Sequence, residues 1–120
     1  MTQINNFKDL RVWQTAMDIA QQCYFLTRGF PQDELYGIVQ QVRRSAVSIP
    51  ANIAEGYGRR YRAEYIRFLN IAQGSTNELE THLILSERVG LCQGKDVETI
   101  LDLLNQESRM IINLLKKLDT

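Results

Sequence analysis

Tyr65–Ser86 reads YIRFLNIAQGSTNELETHLILS, and the placement of its apolar residues decides the fold. Tyr65, Leu69, Ala72, Thr76, Leu79, Leu83 and Ser86 recur in alternating steps of four and three. A mean step of about 3.5 residues is the period of helices that supercoil around one another near +20°. The same spacing runs outward in both directions. Before this segment it passes through Trp13, Ala16, Ala20, Cys23, Thr27 and Phe30, then through Leu35, Val39, Val42, Ala46, Ile49 and Ile53. After it come Val97, Leu101, Leu104, Ser108, Ile111, Leu115 and Leu118. No window alternates with period two, so no strand is expected. Four rods of roughly 18–28 residues, about 27–42 Å each, predict an all-α, antiparallel up-down-up-down four-helix bundle. At 120 residues, one domain covers positions 1–120.

The breaks agree with this pattern. Gly29-Phe30-Pro31 ends the first helix and opens the second, with Asp33 and Glu34 at the positive end of the helix dipole. Gly56-Tyr57-Gly58 separates the second and third helices, and Gly90 to Gly94 the third and fourth. Pro50 falls inside the second seam, which continues to Ile53. A proline kink in helix 2 is expected, with termination at Ser48 as the alternative.

Helix 3 carries a second stripe in the same steps: Arg67, Ile71, Gly74, Glu78, Thr81 and Leu85. At about 100° per residue it points away from the seam. Ile71, Gly74, Glu78, Thr81 and Leu85 are therefore the expected oligomer interface, and the chain is expected to assemble with copies of itself. In helix 4, Ile100, Leu103, Met110 and Leu114 either widen the face toward one core or form a second surface. Helix 2 has a polar line of Gln41, Ser45, Ser48 and Asn52.

Fourteen basic and fourteen acidic side chains give a formal net charge of zero, which excludes a uniformly basic nucleic-acid coat. The distribution is uneven. Between Arg43 and Arg67 lie six arginines and two acids, a local balance of +4 against −4 elsewhere. Arg43, Arg44, Arg59, Arg60, Arg62 and Arg67 present planar forks suited to phosphate, and Tyr57 and Tyr61 are placed to stack on bases. These eight residues are the candidate nucleic-acid contacts. The bland alternative is a solvated surface, or pairing with acids of a neighbouring copy.

Catalytic chemistry is poorly supplied. His82 is the only histidine, and Glu78 one turn earlier does not complete a di-metal pattern. No Ser or Cys triad has a second base to choose from. Cys23 and Cys92 form neither a CxxC site nor a disulfide framework. Glu55, Glu78 and Glu80 read as solvated carboxylates. Gly56-x-Gly58 lacks the strand and third glycine of a phosphate cradle. No enzyme activity, metal or cofactor is expected. Met1–Asn6 is polar with no h-region, and no stretch reaches the length of a membrane span, so a cytoplasmic protein without membrane contact is expected.

From Phe30-Pro31-x-x-Glu34 onward the chain resembles the 23S rRNA intervening-sequence protein family. The matching residues are Tyr36-Gly37, Gln41-x-Arg43-Arg44, Ala46-x-Ser48-Ile49-Pro50-x-Asn52-Ile53-Ala54-Glu55-Gly56-x-Gly58-Arg59, and Phe68-Leu69-x-x-Ala72-x-Gly74-Ser75-x-x-Glu78-Leu79-x-Thr81. Phe7-x-x-Leu10-x-Val12-Trp13-x-x-Ala16 fits as well, whereas the fourth helix matches only as an apolar pattern. The resemblance implies a bacterial four-helix bundle, commonly a homopentamer, with no known catalysis. Related bundles are accessory subunits of reverse transcriptases in diversity-generating retroelements, where a basic pentamer contacts nucleic acid. By that similarity Arg43, Arg44 and Arg59 carry over as contacts, and Arg60 and Arg62 add charge where the family pattern is looser. The expected function is a non-enzymatic homo-oligomer that binds RNA or DNA, as accessory to a nucleic-acid enzyme such as a reverse transcriptase. The alternative is a protein-interaction or scaffold module with no nucleic-acid binding.

Overall fold

The structure, a computed structural model, describes residues 6–119; the rest of the polar N-terminal stretch lies outside the described residues. Four α-helices account for most of them: α1 (Arg11–Thr27), α2 (Gln40–Tyr57), α3 (Arg62–Arg88) and α4 (Gly94–Leu118). No strand occurs among the described residues. Each helix packs on its neighbours in the cyclic order α1, α2, α3, α4, giving a bundle 44 Å long and 27 by 21 Å across.

Local chemistry sets the helix ends. A 3-10 turn at Phe7–Asp9 leads into α1; the Asn6 side chain accepts from the Lys8 N–H, and the Phe7 and Trp13 rings meet edge to face at 5.3 Å. After α3, Gly90 takes φ +84°, and the Leu91 N–H donates to the Ser86 carbonyl at 2.9 Å. This is the left-handed glycine stop that satisfies orphan carbonyls. At the start of α4 the Asp96 carboxylate accepts from the Gln93 N–H at 2.9 Å.

The second helix begins differently from its sequence expectation. Pro31 is followed by a 3-10 turn at Gln32–Glu34 and a π turn at Leu35–Val39, and α-helix starts only at Gln40. The irregular backbone is at Gly37, with φ −108° and ψ −113°. Leu35, expected on the seam, is consequently exposed. Beyond this, α2 runs unbroken through Pro50 to Tyr57, so it does not stop at Ser48.

The core follows the 3.5-residue seam closely in three helices. Ala16, Ala20 and Cys23, then Val42, Ala46, Ile49 and Ile53, then Leu69, Ala72, Leu79 and Leu83 are all buried. The buried hydroxyls of Thr27, Thr76 and Ser86 donate to carbonyls one turn earlier, at 2.8, 2.6 and 2.8 Å. That satisfies them without a partner helix.

In α4 the phase is shifted by one residue at two steps. Ile100 and Glu107 are buried where Leu101 and Ser108 were expected, and those two are half-buried. Leu103, Met110 and Leu114 pack partly buried against the same core. The wide apolar face of α4 therefore serves one core.

Cross-helix contacts fix the register. Gly56 lies against Tyr65 and Phe68, and the Ser48 and Ser75 hydroxyls meet at 2.8 Å, so contacts move down α2 as they move up α3. Gly94 lies against Glu87, and the Gln73 amide donates to the Ser108 hydroxyl at 2.6 Å, which repeats the relation between α3 and α4.

Candidate nucleic-acid interface

The turn from α2 to α3 is short, and its geometry depends on Gly56. A Cβ built there would lie 2.7 Å from the Phe68 Cβ and 3.1 Å from the Tyr65 ring. Without one, the two helices close up and Phe68 is seated at their junction. Two guanidinium groups then lie over the Phe68 ring: Arg59 at 5.1 Å and Arg67 at 4.5 Å from its centroid. Both distances are in the range of cation–π attraction. Tyr57 meets Tyr65 edge to face at 6.0 Å and is half-buried. Burial, and then Tyr57, push the Tyr65 phenol up to about 12.

Arg60, Tyr61 and Arg62 complete this end of the molecule and are exposed. Tyr61 is 67% exposed and stands at the N-cap of α3, where no side chain caps the helix. The positive dipole end of a 27-residue helix favours an anion.

Intramolecular partners already hold some of these arginines. Arg59 pairs with Glu55 at 3.0 Å, and Arg67 with Glu64 at 3.0 Å. The Arg67 hydrogen bond and charge hold the Glu64 carboxyl below its ordinary range. All four side chains are partly solvent-exposed, so the pairs are weak and a phosphate competes for the same forks.

The eight sequence candidates form two groups. Arg59, Arg60, Arg62, Arg67, Tyr57 and Tyr61 gather at the α2–α3 turn. Arg43 and Arg44 lie thirteen or more residues earlier on α2, roughly 20 Å along its axis. Arg43 donates through Nε to the Thr27 hydroxyl at 2.9 Å and lies 4.6 Å from the Tyr24 ring centroid. Arg44 donates to the Gln41 side chain at 2.7 Å. Their surroundings are an open groove of about 610 Å³ along α2 and the Leu35–Val39 turn, lined by Leu35, Tyr36, Val39 and Val47 together with Tyr24 of α1. Sequence reading missed both Phe68, whose position next to the seam gave no sign of its cations, and this groove, part of whose lining comes from the π turn.

The second stripe of α3 is exposed. Ile71 and Leu85 are 40% and 47% exposed, Glu78 and Thr81 face solvent, and a Cβ at Gly74 would meet nothing within 4 Å. His82 is half-buried, with Nε2 3.8 Å from the Glu78 carboxylate.

The thiols are not activated nucleophiles. Burial pushes Cys23 up to about 12, and burial with Asp96 and Glu87 raises Cys92. No three metal-ligating side chains gather among the described residues. No helix among them is long and apolar enough to cross a membrane.

A family described as 23S rRNA-intervening sequence protein matches residues 8–113. The crystal structure of a protein of unknown function from the S23 ribosomal protein family of Bacteroides thetaiotaomicron superposes with a TM-score of 0.78 at 28% identity, over 88% of this chain and 98% of that one. No curated protein matches the sequence.

Proposed function

The chain belongs to the 23S rRNA-intervening sequence protein family, and from that premise we propose that it is a non-enzymatic, homo-oligomeric cytoplasmic bundle that binds RNA or DNA. The contact surface is the α2–α3 turn. The observation that carries this reading is the Phe68 ring flanked by Arg59 and Arg67, next to exposed Arg60 and Tyr61 and the uncapped start of α3. Arginine forks grip phosphates, Tyr61 offers a stacking plane, and the helix end adds backbone donors. A net charge of zero keeps one turn's affinity low. Copies gathered in a ring, a pentamer by family resemblance, present the turn repeatedly, and weak contacts add as avidity. Such a module acts as an accessory to a nucleic-acid enzyme, for example a reverse transcriptase, rather than as the catalyst.

A scaffold reading is favoured by one observation: Arg59 and Arg67 already have carboxylate partners within the chain. The double substitution Arg59→Glu with Arg60→Glu separates the two. Under nucleic-acid binding, anisotropy of labelled single-stranded RNA and DNA falls by an order of magnitude while mass by light scattering is unchanged. Unchanged anisotropy, or loss of assembly, contradicts the proposal and favours the scaffold.

A further inference from the structure

Arg11, Arg109 and Lys116 belong, by position in the chain, to the part outside Arg43–Arg67 where acids outnumber bases. The fold carries them to the basic end of the bundle. Arg11 opens α1, and Lys116 lies in the last turn of α4, beside the first turns of α3. We propose that the nucleic-acid surface continues from the α2–α3 turn across both sides of α4, where a cleft lined by Arg11 and Arg109 takes a further phosphate group of the same strand. This rests on the nucleic-acid part of the function proposed above, and adds where the strand goes.

Two clefts flank α4. On the α3 side, Ile66 and Asn70 lie across from Leu115, Lys116 and Asp119 around a space of about 270 Å³. Ile66 directly precedes Arg67, whose guanidinium lies over Phe68, so this cleft adjoins the turn. Asp119 tempers the charge of Lys116 there. On the α1 side, Arg11 lines a cleft of about 310 Å³ with Gln106, Arg109, Met110 and Asn113. From Lys116 back to Arg109 is seven residues, about 10 Å along α4.

The α1–α4 cleft differs from the turn in its chemistry. Arg59 and Arg67 are tempered by Glu55 and Glu64. Arg11 and Arg109 have no acid three or four residues away on either side. Neither makes an ion pair or a side-chain hydrogen bond to another described residue. Two like charges lining one cleft favour an anion between them. Gln106 and Asn113 add exposed amide donors. The described lining holds no aromatic ring, so the cleft suits a phosphate, and base stacking stays with Tyr61 at the turn.

The test is the salt dependence of binding to labelled single-stranded RNA, read by anisotropy, for Arg11→Gln with Arg109→Gln. Both side chains are exposed, and circular dichroism and light scattering check that helicity and mass are kept. Loss of two phosphate contacts makes the log–log slope shallower by about 1.4 and lowers affinity about tenfold near 50 mM salt. Lys116→Gln alone, in the other cleft, changes the slope by about half as much. Arg28→Gln with Lys95→Gln removes the same charge from the opposite end of the bundle and leaves the slope as in wild type. If the Arg11, Arg109 variant keeps the wild-type slope and affinity while Arg59→Glu with Arg60→Glu loses binding, the extension is overturned and the turn stands. An equal loss in the Arg28, Lys95 variant assigns the effect to net charge and also overturns the extension. A wild-type chain that binds no RNA overturns both.

Discussion

Glu107 is the most consequential single residue that sequence reading passed over. It is fully buried among apolar neighbours, and neither carboxylate oxygen has a hydrogen-bond partner among the described residues. Burial pushes its carboxyl up to about 8 from an ordinary 4.5. The folded chain therefore holds a proton that the unfolded chain releases near pH 4.5. Between these values the folded state binds more protons, so stability falls as pH rises, by up to about 1.4 kcal/mol per unit and on the order of 4 kcal/mol in all. Urea denaturation from pH 5 to 8 should show this loss, and Glu107→Gln should flatten it. Glu107→Leu should be more stable than wild type at pH 8, because the carboxylate is lost without a cavity. Gly56 makes the opposite point. Its place before a turn was visible in the sequence, but the need for a bare Cα came only with the 2.7 Å approach of Phe68. Gly56→Ala should cost about 1–3 kcal/mol, seen as a lowered Tm, because the Cβ pushes α3 off α2.

At the scale of elements, legibility followed how far one pattern dominated. In α3 the seam runs for six clean steps and the opposed stripe for five, and burial from Leu69 to Ser86 follows the seam. In α4 the apolar face is wide, and two phases fit it nearly equally. The phase through Leu101 and Ser108 leaves Glu107 outside the core, whereas the structure buries it, a rare place for a carboxylate. The Leu35–Val39 turn was missed because its residues repeat at helical spacing, and only the backbone at Gly37 reveals the extra residue per turn. The basic segment was legible as composition but not as shape, for a count of arginines along the chain does not separate the α2–α3 turn from the groove. Under the proposed function, the acids at this turn compete with phosphate for Arg59 and Arg67. Glu55→Gln with Glu64→Gln should free Arg59 and Arg67, raising affinity for single-stranded RNA about tenfold at low salt with Tm almost unchanged.

For the whole molecule, apolar surface is distributed in a way that one copy does not resolve. Ile71, Ile84 and Leu85 stay exposed on α3 while the core of the bundle is complete without them. Ile71→Arg with Leu85→Arg should reduce the mass in solution to that of a single chain without lowering helicity. It should also weaken nucleic-acid binding, although neither residue lies at the α2–α3 turn, because a lone turn lacks avidity. The four-helix bundle was legible from periodicity. The proposed assembly has its signal in the sequence as a surplus of apolar surface on α3.

The most direct measurement is the salt dependence of wild-type binding to labelled single-stranded RNA, followed by anisotropy from about 50 mM salt upward. Binding that is measurable at the lowest salt and falls linearly on a log–log plot, with a slope corresponding to several phosphates, is the expected result. A flat plot, or no anisotropy change at about 50 mM, contradicts nucleic-acid binding by the α2–α3 turn.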